Sequence, residues 1–448
     1  MMRKILLAAI LLALAQAVFA EDSEQNEFIV ISKAPNEARI AIPIFRVEFQ
    51  SRQGFDLGDE LAALLGEDLE RSGFFELVPR PSFLKPRAVL GDQEDWQAWN
   101  LLNTQAVVRG KISELGSDQF QLTLKLFDVA SQNMAIGKTY AGSKPSLRRM
   151  IHRFSDETIN WLTGKRGGFE SRIAFVSNKS GRKEIYFMDS DGFNPVQMTN
   201  TRKLNLSPAW LDGSNLYYVG YDRINPDLYL LNIYSRDKKL VSTQAGLNIS
   251  PAAGPSGKKL AIAMDSPGEN LDIYITNPDG SNPLRVTNNP GADLEPAWSP
   301  DGHYLAFVSD RAGAPQIYMI DVWQGGEGTG NKPVRLTFSG SYNTSPAWSP
   351  DGRYLAYCRR TGNQFDLYMI DFQGSDKRAE IQLTSTAYNE EDPAWSPDGR
   401  MLVYSANRSG NYDLFVISIY SKEPEQISSW PTDETQPSWS PTLYEKGG

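Results

Sequence analysis

One heptapeptide, Pro-Ala-Trp-Ser-Pro-Asp-Gly, occurs unbroken at 296–302, 346–352 and 393–399. A phrase that returns at near-constant spacing restricts a chain to stacked or ring architectures. Weaker copies, Pro208-Ala209-Trp210, Pro251-Ala252-Ala253 and Pro437-Ser438-Trp439, extend the series, so the Trp slot falls at 210, 253, 298, 348, 395 and 439. Within a unit, Ser-Pro-Asp-Gly suits a type I turn with Pro second and Gly fourth. Strand-like runs follow it, as at 354–358, 366–371 and 381–384. A unit of roughly 40–50 residues built from four short strands, without helices, is the pattern of a β-propeller blade. The second-strand series begins at 173–177, before the first Pro-Ala-Trp, and the last copy at 437–441 has no strand after it. The chain therefore reads as six blades, with the carboxyl-terminal strand completing the first and leaving no open sheet edge between the ends.

The repeat is absent before residue 164, where helix and strand patterns mix. Strand-like runs fall at 28–32, 40–45, 106–113, 120–128 and 134–140, with a turn at Gly116-Ser117-Asp118. Leu57, Leu61, Leu64, Leu65 and Leu69 recur at helical spacing and predict a helix over 57–72, capped by Asp56 and stopped at Gly73. A second amphipathic helix fits 146–163, with Trp161 and Leu162 placed to pack on the propeller. The fold class is two domains: a small α/β amino-terminal domain, then a six-bladed β-propeller closed by the carboxyl-terminal strand. Boundaries read as 1–20 signal, 21–34 extended segment, 35–163 α/β domain, 164–170 linker, 171–441 propeller and 442–448 tail.

The signal rests on Arg3 and Lys4, an apolar run over 5–14, and small residues before a cleavage between Ala20 and Glu21. No stretch approaches the ~20 apolar residues that span a bilayer, so no direct membrane insertion is expected. Cleavage removes two of 45 basic residues and none of 54 acidic ones, leaving 43 against 54, a net charge of −11. That charge disfavours nucleic acid and anionic lipid. The single Cys358 forms no internal disulfide, so cores alone must hold the fold.

The repeat also tests individual residues. His303 fills the slot of Arg353 and Arg400, and reads as a solvated turn residue. Cys358 fills the slot of Val219, Val308 and Ser405, and reads as a small buried side chain. Glu184, Asp227, Asp272, Gln316, Asp366 and Asp413 share one position, which marks a structural hydrogen-bonding device. Gly325–330 lengthens one unit and reads as a flexible surface insertion. No Gly-x-Ser-x-Gly, His-Glu-x-x-His, P-loop or Gly-x-Gly-x-x-Gly motif occurs, and the chain has two His. Neither catalytic residue nor cofactor is assigned.

Export signal, α/β domain and the blade phrase, in that order, resemble the TolB family of the Tol–Pal envelope system over essentially the whole mature chain. The resemblance implies a non-catalytic, monomeric periplasmic scaffold supporting outer-membrane integrity, envelope constriction at cell division and protein import. It implies two partners, the lipoprotein Pal and the inner-membrane protein TolA. The TolA-binding segment maps to Phe28, Ile29, Val30, Ile31, Ser32 and Lys33, preceded here by an acidic stretch at 21–26. Pal contacts map to loops just before each Pro-Ala-Trp: Leu206, Ser207, Leu247, Asn248, Ser250, Asp293, Leu294, Glu295, Asn343, Thr344, Ser345, Asn389, Glu391 and Asp392. A second reading stays open, a periplasmic propeller enzyme, lyase or hydrolase, acting at the axial mouth.

Overall fold

The computed structural model describes residues 38–48, 52–83, 95–244, 246–265, 270–323, 326–327, 330–374, 378–420 and 424–443. The signal with Ala20 and Glu21, and the segment Phe28 to Lys33, lie outside the described residues. The amino-terminal domain is built from strands β1 (Ala38–Ala41), β2 (Arg46–Val47), β3 (Phe75–Leu77), β4 (Ala106–Gly116), β5 (Gln119–Asp128) and β6 (Asn133–Ser143), and helices α1 (Arg52–Arg71), α2 (Trp96–Leu101) and α3 (Leu147–Thr163). The sheet runs β3-β1-β4-β5-β6, with β2 also on β4. Leu57, Leu61, Leu65 and Leu69 of α1 join Phe154 of α3 and Leu122 and Leu124 of β5 in one core.

Two details differ from the expected elements. The strand expected over 40–45 is β1, which ends at Ala41. It is sandwiched between β3 and β4, and Pro43 has no N–H to continue a ladder on both sides. Asp56 lies inside α1 and does not cap it, because the helix starts one turn earlier at Arg52. Gly73 does stop α1, at φ 72, and Gly164 stops α3, at φ 73.

Each propeller blade is a four-stranded antiparallel sheet whose innermost strand carries the Pro-Ala-Trp slot. In blade 1 that strand is Glu434–Trp439, followed by Arg172–Ser177, Glu184–Asp189 and Val196–Gln197, so the ring closes between the ends of the propeller sequence. The repeated phrase has a local cause. The indole N–H of Trp210 donates to Ser438 O at 3.0 Å, that of Trp298 to Ala252 O at 3.1 Å and that of Trp395 to Ala347 O at 2.9 Å. Each Trp thus ties its blade to the small residue after Pro in the preceding blade, joining a large apolar group to a satisfied donor. At the turn, Gly302 N–H donates to Ser299 O at 2.9 Å, and Gly302, Gly352 and Gly399 hold φ of 71–74, where a side chain would be strained.

The antiparallel order puts the Ser-Pro-Asp-Gly turns at one end of the propeller and the starts of the inner strands at the other. The amino-terminal domain sits on the turn end, over blades 6 and 1. Phe154, Ile159, Phe169, Ile173, Phe175, Met401 and Val403 belong to a single core that crosses the domain boundary. Leu162 packs on that core, whereas Trp161 stays at the surface, 38% exposed. His152 of α3, 3% exposed, lies between Asp68 of α1 (Nδ1 to Oδ2, 2.8 Å) and Asp191 of blade 1 (Nε2 to Oδ2, 3.2 Å). Burial by itself would lower the imidazole pKa, but the charge of Asp68 and the hydrogen bonds to both carboxylates hold it up at about 10. Phe169 and Glu170 N–H groups donate to Asp156 at 2.8 and 3.0 Å, so the connection between domains is a clamped turn.

Candidate functional site

The inner strands begin at the propeller end away from the docked domain. There, in all six blades, the residue before Pro is left-handed without being glycine: Ser207, Ser250, Glu295, Ser345, Asp392 and Gln436 have φ of 51–57. The following Pro bars the right-handed helical region at this position. The pairing with the second strand slips at the same place in every blade, which makes a bulge. A left-handed non-glycine residue costs roughly 1–2 kcal/mol, and the bulge turns polar groups from one blade toward the next. Ser345 N–H donates to Glu295 Oε2 at 2.7 Å and Ser207 N–H to Gln436 Oε1 at 2.9 Å. Ser345 Oγ donates to Asp392 Oδ1 at 3.1 Å, and Gln436 N–H donates to Asp392 as well. These bonds form a hydrogen-bonded chain, Glu295–Ser345–Asp392–Gln436–Ser207, around the axis over five blades.

Two carboxylates sit in this chain. Burial pushes the Glu295 pKa up to about 7, opposed by the Ser345 N–H and reinforced by the Asp392 charge. Burial also raises Asp392, against the pull of Ser345 and Gln436. Cys358 lies beneath them, fully buried and with its thiol raised well above the usual value by burial, hence inert.

The expected contact residues divide into two sets. Most lie within the inner strands and not in loops; only Leu247 and Asn389 precede them. Asn248, Asp293 and Asn343 are fully buried at the strand starts. Asn343 Nδ2 donates to Gln316 Oε1 at 2.9 Å, Asn248 Nδ2 to Gln244 O at 2.9 Å, and Arg311 pairs with Asp293 at 3.0 Å. They are blade scaffold, tied to residues of their own or the adjoining blade segments, and cannot meet a partner without opening the blade. Leu206, Ser207, Leu247, Ser250, Leu294, Glu295, Thr344, Ser345, Asn389, Glu391 and Asp392 are half-exposed. Leu294 also packs on the cores of two blade contacts.

Residues further upstream supply an apolar rim that the motif search missed. Leu204, Phe338, Tyr342 and Tyr388 stand exposed in loops leading to inner strands, and Ile224, 98% exposed, tops the second loop of blade 2. Lys179 adds a cation over Trp430 at 3.5 Å. Their signal in sequence was aromatic residues in non-repeating loops. Within the glycine-rich insertion, Glu327 N–H donates to Val286 O at 2.8 Å and its carboxylate pairs with Arg311 at 2.7 Å.

The TolB beta propeller domain model matches residues 159–443, and the TolB amino-terminal domain model matches 29–135. The Tol-Pal system protein TolB of Desulfosudis oleivorans is 35% identical over 273 residues, 60% of this chain and 61% of that one. That of Methylobacillus flagellatus is 35% identical over 210 residues, 46% and 48% of the two chains. The matched parts thus span about three fifths and about half of these curated relatives' lengths. The crystal structure of TolB from Acinetobacter baumannii superposes with a TM-score of 0.76 at 28% identity, covering 92% of this chain and 98% of that one.

Proposed function

This chain belongs to the TolB family, and from that membership we propose that it is a non-catalytic periplasmic scaffold of the Tol–Pal system, binding a Pal-like lipoprotein at the propeller mouth. The observation that carries the reading is the mouth itself. Six inner strands bring half-exposed polar residues to one axis, ringed by exposed Leu204, Ile224, Phe338, Tyr342 and Tyr388, on the end left free by the docked domain. A specific interface needs ~800 Å² per partner and a few anchors, for which six loops and strand starts with aromatic residues at the rim are suited. Both His lie elsewhere, His152 at the domain boundary and His303 on the turn end. A TolA-like protein takes the segment Phe28 to Lys33, and the two interactions together support outer-membrane integrity and envelope constriction.

The test is calorimetric titration with a soluble Pal domain. Ser250→Arg and Thr344→Arg put a bulky charge on the mouth without touching a core, and each should weaken binding by about 2 kcal/mol. His303→Arg, at the opposite end, should bind as wild type. Wild-type affinity in both mouth variants would move the site elsewhere. Deletion of residues 21–33 should abolish TolA binding and leave Pal binding and melting unchanged.

A further inference from the structure

The repeat lets one blade be read against another on the turn end, where the amino-terminal domain docks. In blade 6 three slots hold that domain. Arg400, just after Asp-Gly, lies over the Phe74 ring at 4.0 Å. Tyr420, two residues beyond the third strand Asp413–Ser418, meets Phe74 at 6.0 Å between ring centroids. Glu425, at the start of the outer strand, takes a bidentate pair from Arg71 at 2.8 and 2.5 Å. The docking element is a helix end: Arg71, the left-handed Gly73, then Phe74.

The same slots in blade 4 are His303, Trp323 and Val334. The equivalence is one of register. Ile419 N–H donates to Arg400 O at 2.9 Å as Val322 N–H does to His303 O at 2.8 Å, and Val416 faces Glu425 as Met319 faces Val334. His303 and Trp323 meet at a tilt of 30°, with ring centroids 4.7 Å apart. Trp323 is nevertheless 75% exposed and Val334 46% exposed. The fold does not ask for an aromatic there, because blades 3 and 5 place Asp279 and Gln373 in the Trp323 slot. Blade 2 has Tyr234, whose hydroxyl is held by Arg172 at 3.0 Å with the guanidinium 5.3 Å over its ring. An indole facing water beside an exposed Val is a patch of the kind partners cover.

We propose that blade 4 carries a second, open copy of the interdomain docking patch, and that it takes a helix-terminal turn of another protein presenting an aromatic side chain and no cation. The aromatic follows from Phe74 in the occupied copy. The missing cation follows from charge complementarity, since Val334 replaces the Glu425 that Arg71 needs, and a desolvated cation without a partner is costly.

The probe is a synthetic peptide of residues 60–76 carrying Arg71→Leu, titrated into the full chain labelled with 5-fluorotryptophan, whose Trp323 resonance is assigned by its loss in Trp323→Phe. The peptide should move that resonance, and Phe74→Ala in the peptide should weaken the effect at least about tenfold. Val334→Glu should reverse the preference in favour of the peptide that keeps Arg71, which a merely sticky surface would not do. Because Trp323 and Val334 are exposed, these variants should melt as wild type. An unmoved Trp323 resonance, an unchanged preference in Val334→Glu, a shift produced instead by an oligosaccharide, or one that follows the concentration of the chain alone would each overturn the proposal.

Discussion

The two ends of the propeller are built from the same six repeats, yet they spend their polar groups differently. At the turn end, charges are paired across a domain boundary: Arg71 with Glu425, Arg148 with Asp191, and His152 between Asp68 and Asp191. At the mouth, the left-handed residues bond to one another around the axis, and their carboxylates stay half-exposed with raised pKa values. One end is finished by the rest of the chain. The other is strained, polar and open, and it is the end proposed above to take a partner.

The largest expected effect would break both ends at once. Deleting residues 439–448 removes Trp439, which packs in the core shared with the α/β domain and donates to Ser171 Oγ at 2.7 Å, and cuts the inner strand of blade 1. Destabilisation by more than about 4 kcal/mol, or aggregation through the exposed edge, is expected in denaturant melts. Wild-type melting would disprove ring closure by that strand.

Next comes the turn end alone. His152→Ala leaves Asp68 and Asp191 buried without their shared cation and should cost about 3 kcal/mol. The imidazole pKa is raised from 6.5 to about 10 in the fold, so its stabilisation is complete below pH 6.5 and lost as pH rises toward 10. Thermal melts between pH 6 and pH 10 should therefore show a decline in the wild type that His152→Ala lacks.

A smaller effect of opposite sign is expected at the mouth. Glu295 has its pKa raised to about 7, so its ionisation opposes folding as pH rises from its ordinary value through 7. Glu295→Gln should gain about 1 kcal/mol at pH 8 and nothing at pH 4, the half-exposed position limiting the size. Loss of stability at pH 8 would mean that the Ser345 N–H bond needs the carboxylate. Smallest of all, Arg71→Gln breaks an ion pair whose Glu425 is exposed, and should cost under about 1 kcal/mol, less at high salt.

Much of this is legible in the sequence alone. Ser-Pro-Asp-Gly acts through a turn that recurs with the phrase, and Trp210, Trp298 and Trp395 act through inter-blade bonds, so blade number and closure followed from spacing. The leucines of α1 and the glycines ending α1 and α3 were equally local. The short β3 and α2 were not seen, because three and six residues carry no usable period. The family resemblance mapped the expected contacts to loops, whereas most of these residues lie within the inner strands, and it did not separate Asn248 from Ser250, two residues apart on one strand, the first sealed and the second half-exposed.

By itself, then, the sequence determined a ring of six sheets closed by its last strand and preceded by an α/β domain, since each of those features is specified by bonds between residues near one another or in matching slots. Only the tertiary structure decided which slots are buried, which join around the axis, and which end the α/β domain covers. Those outcomes depend on what neighbouring blades and α3 bring up against a residue. A Tyr at 420 and a Trp at 323 are alike as text, and differ because Phe74 reaches only the first.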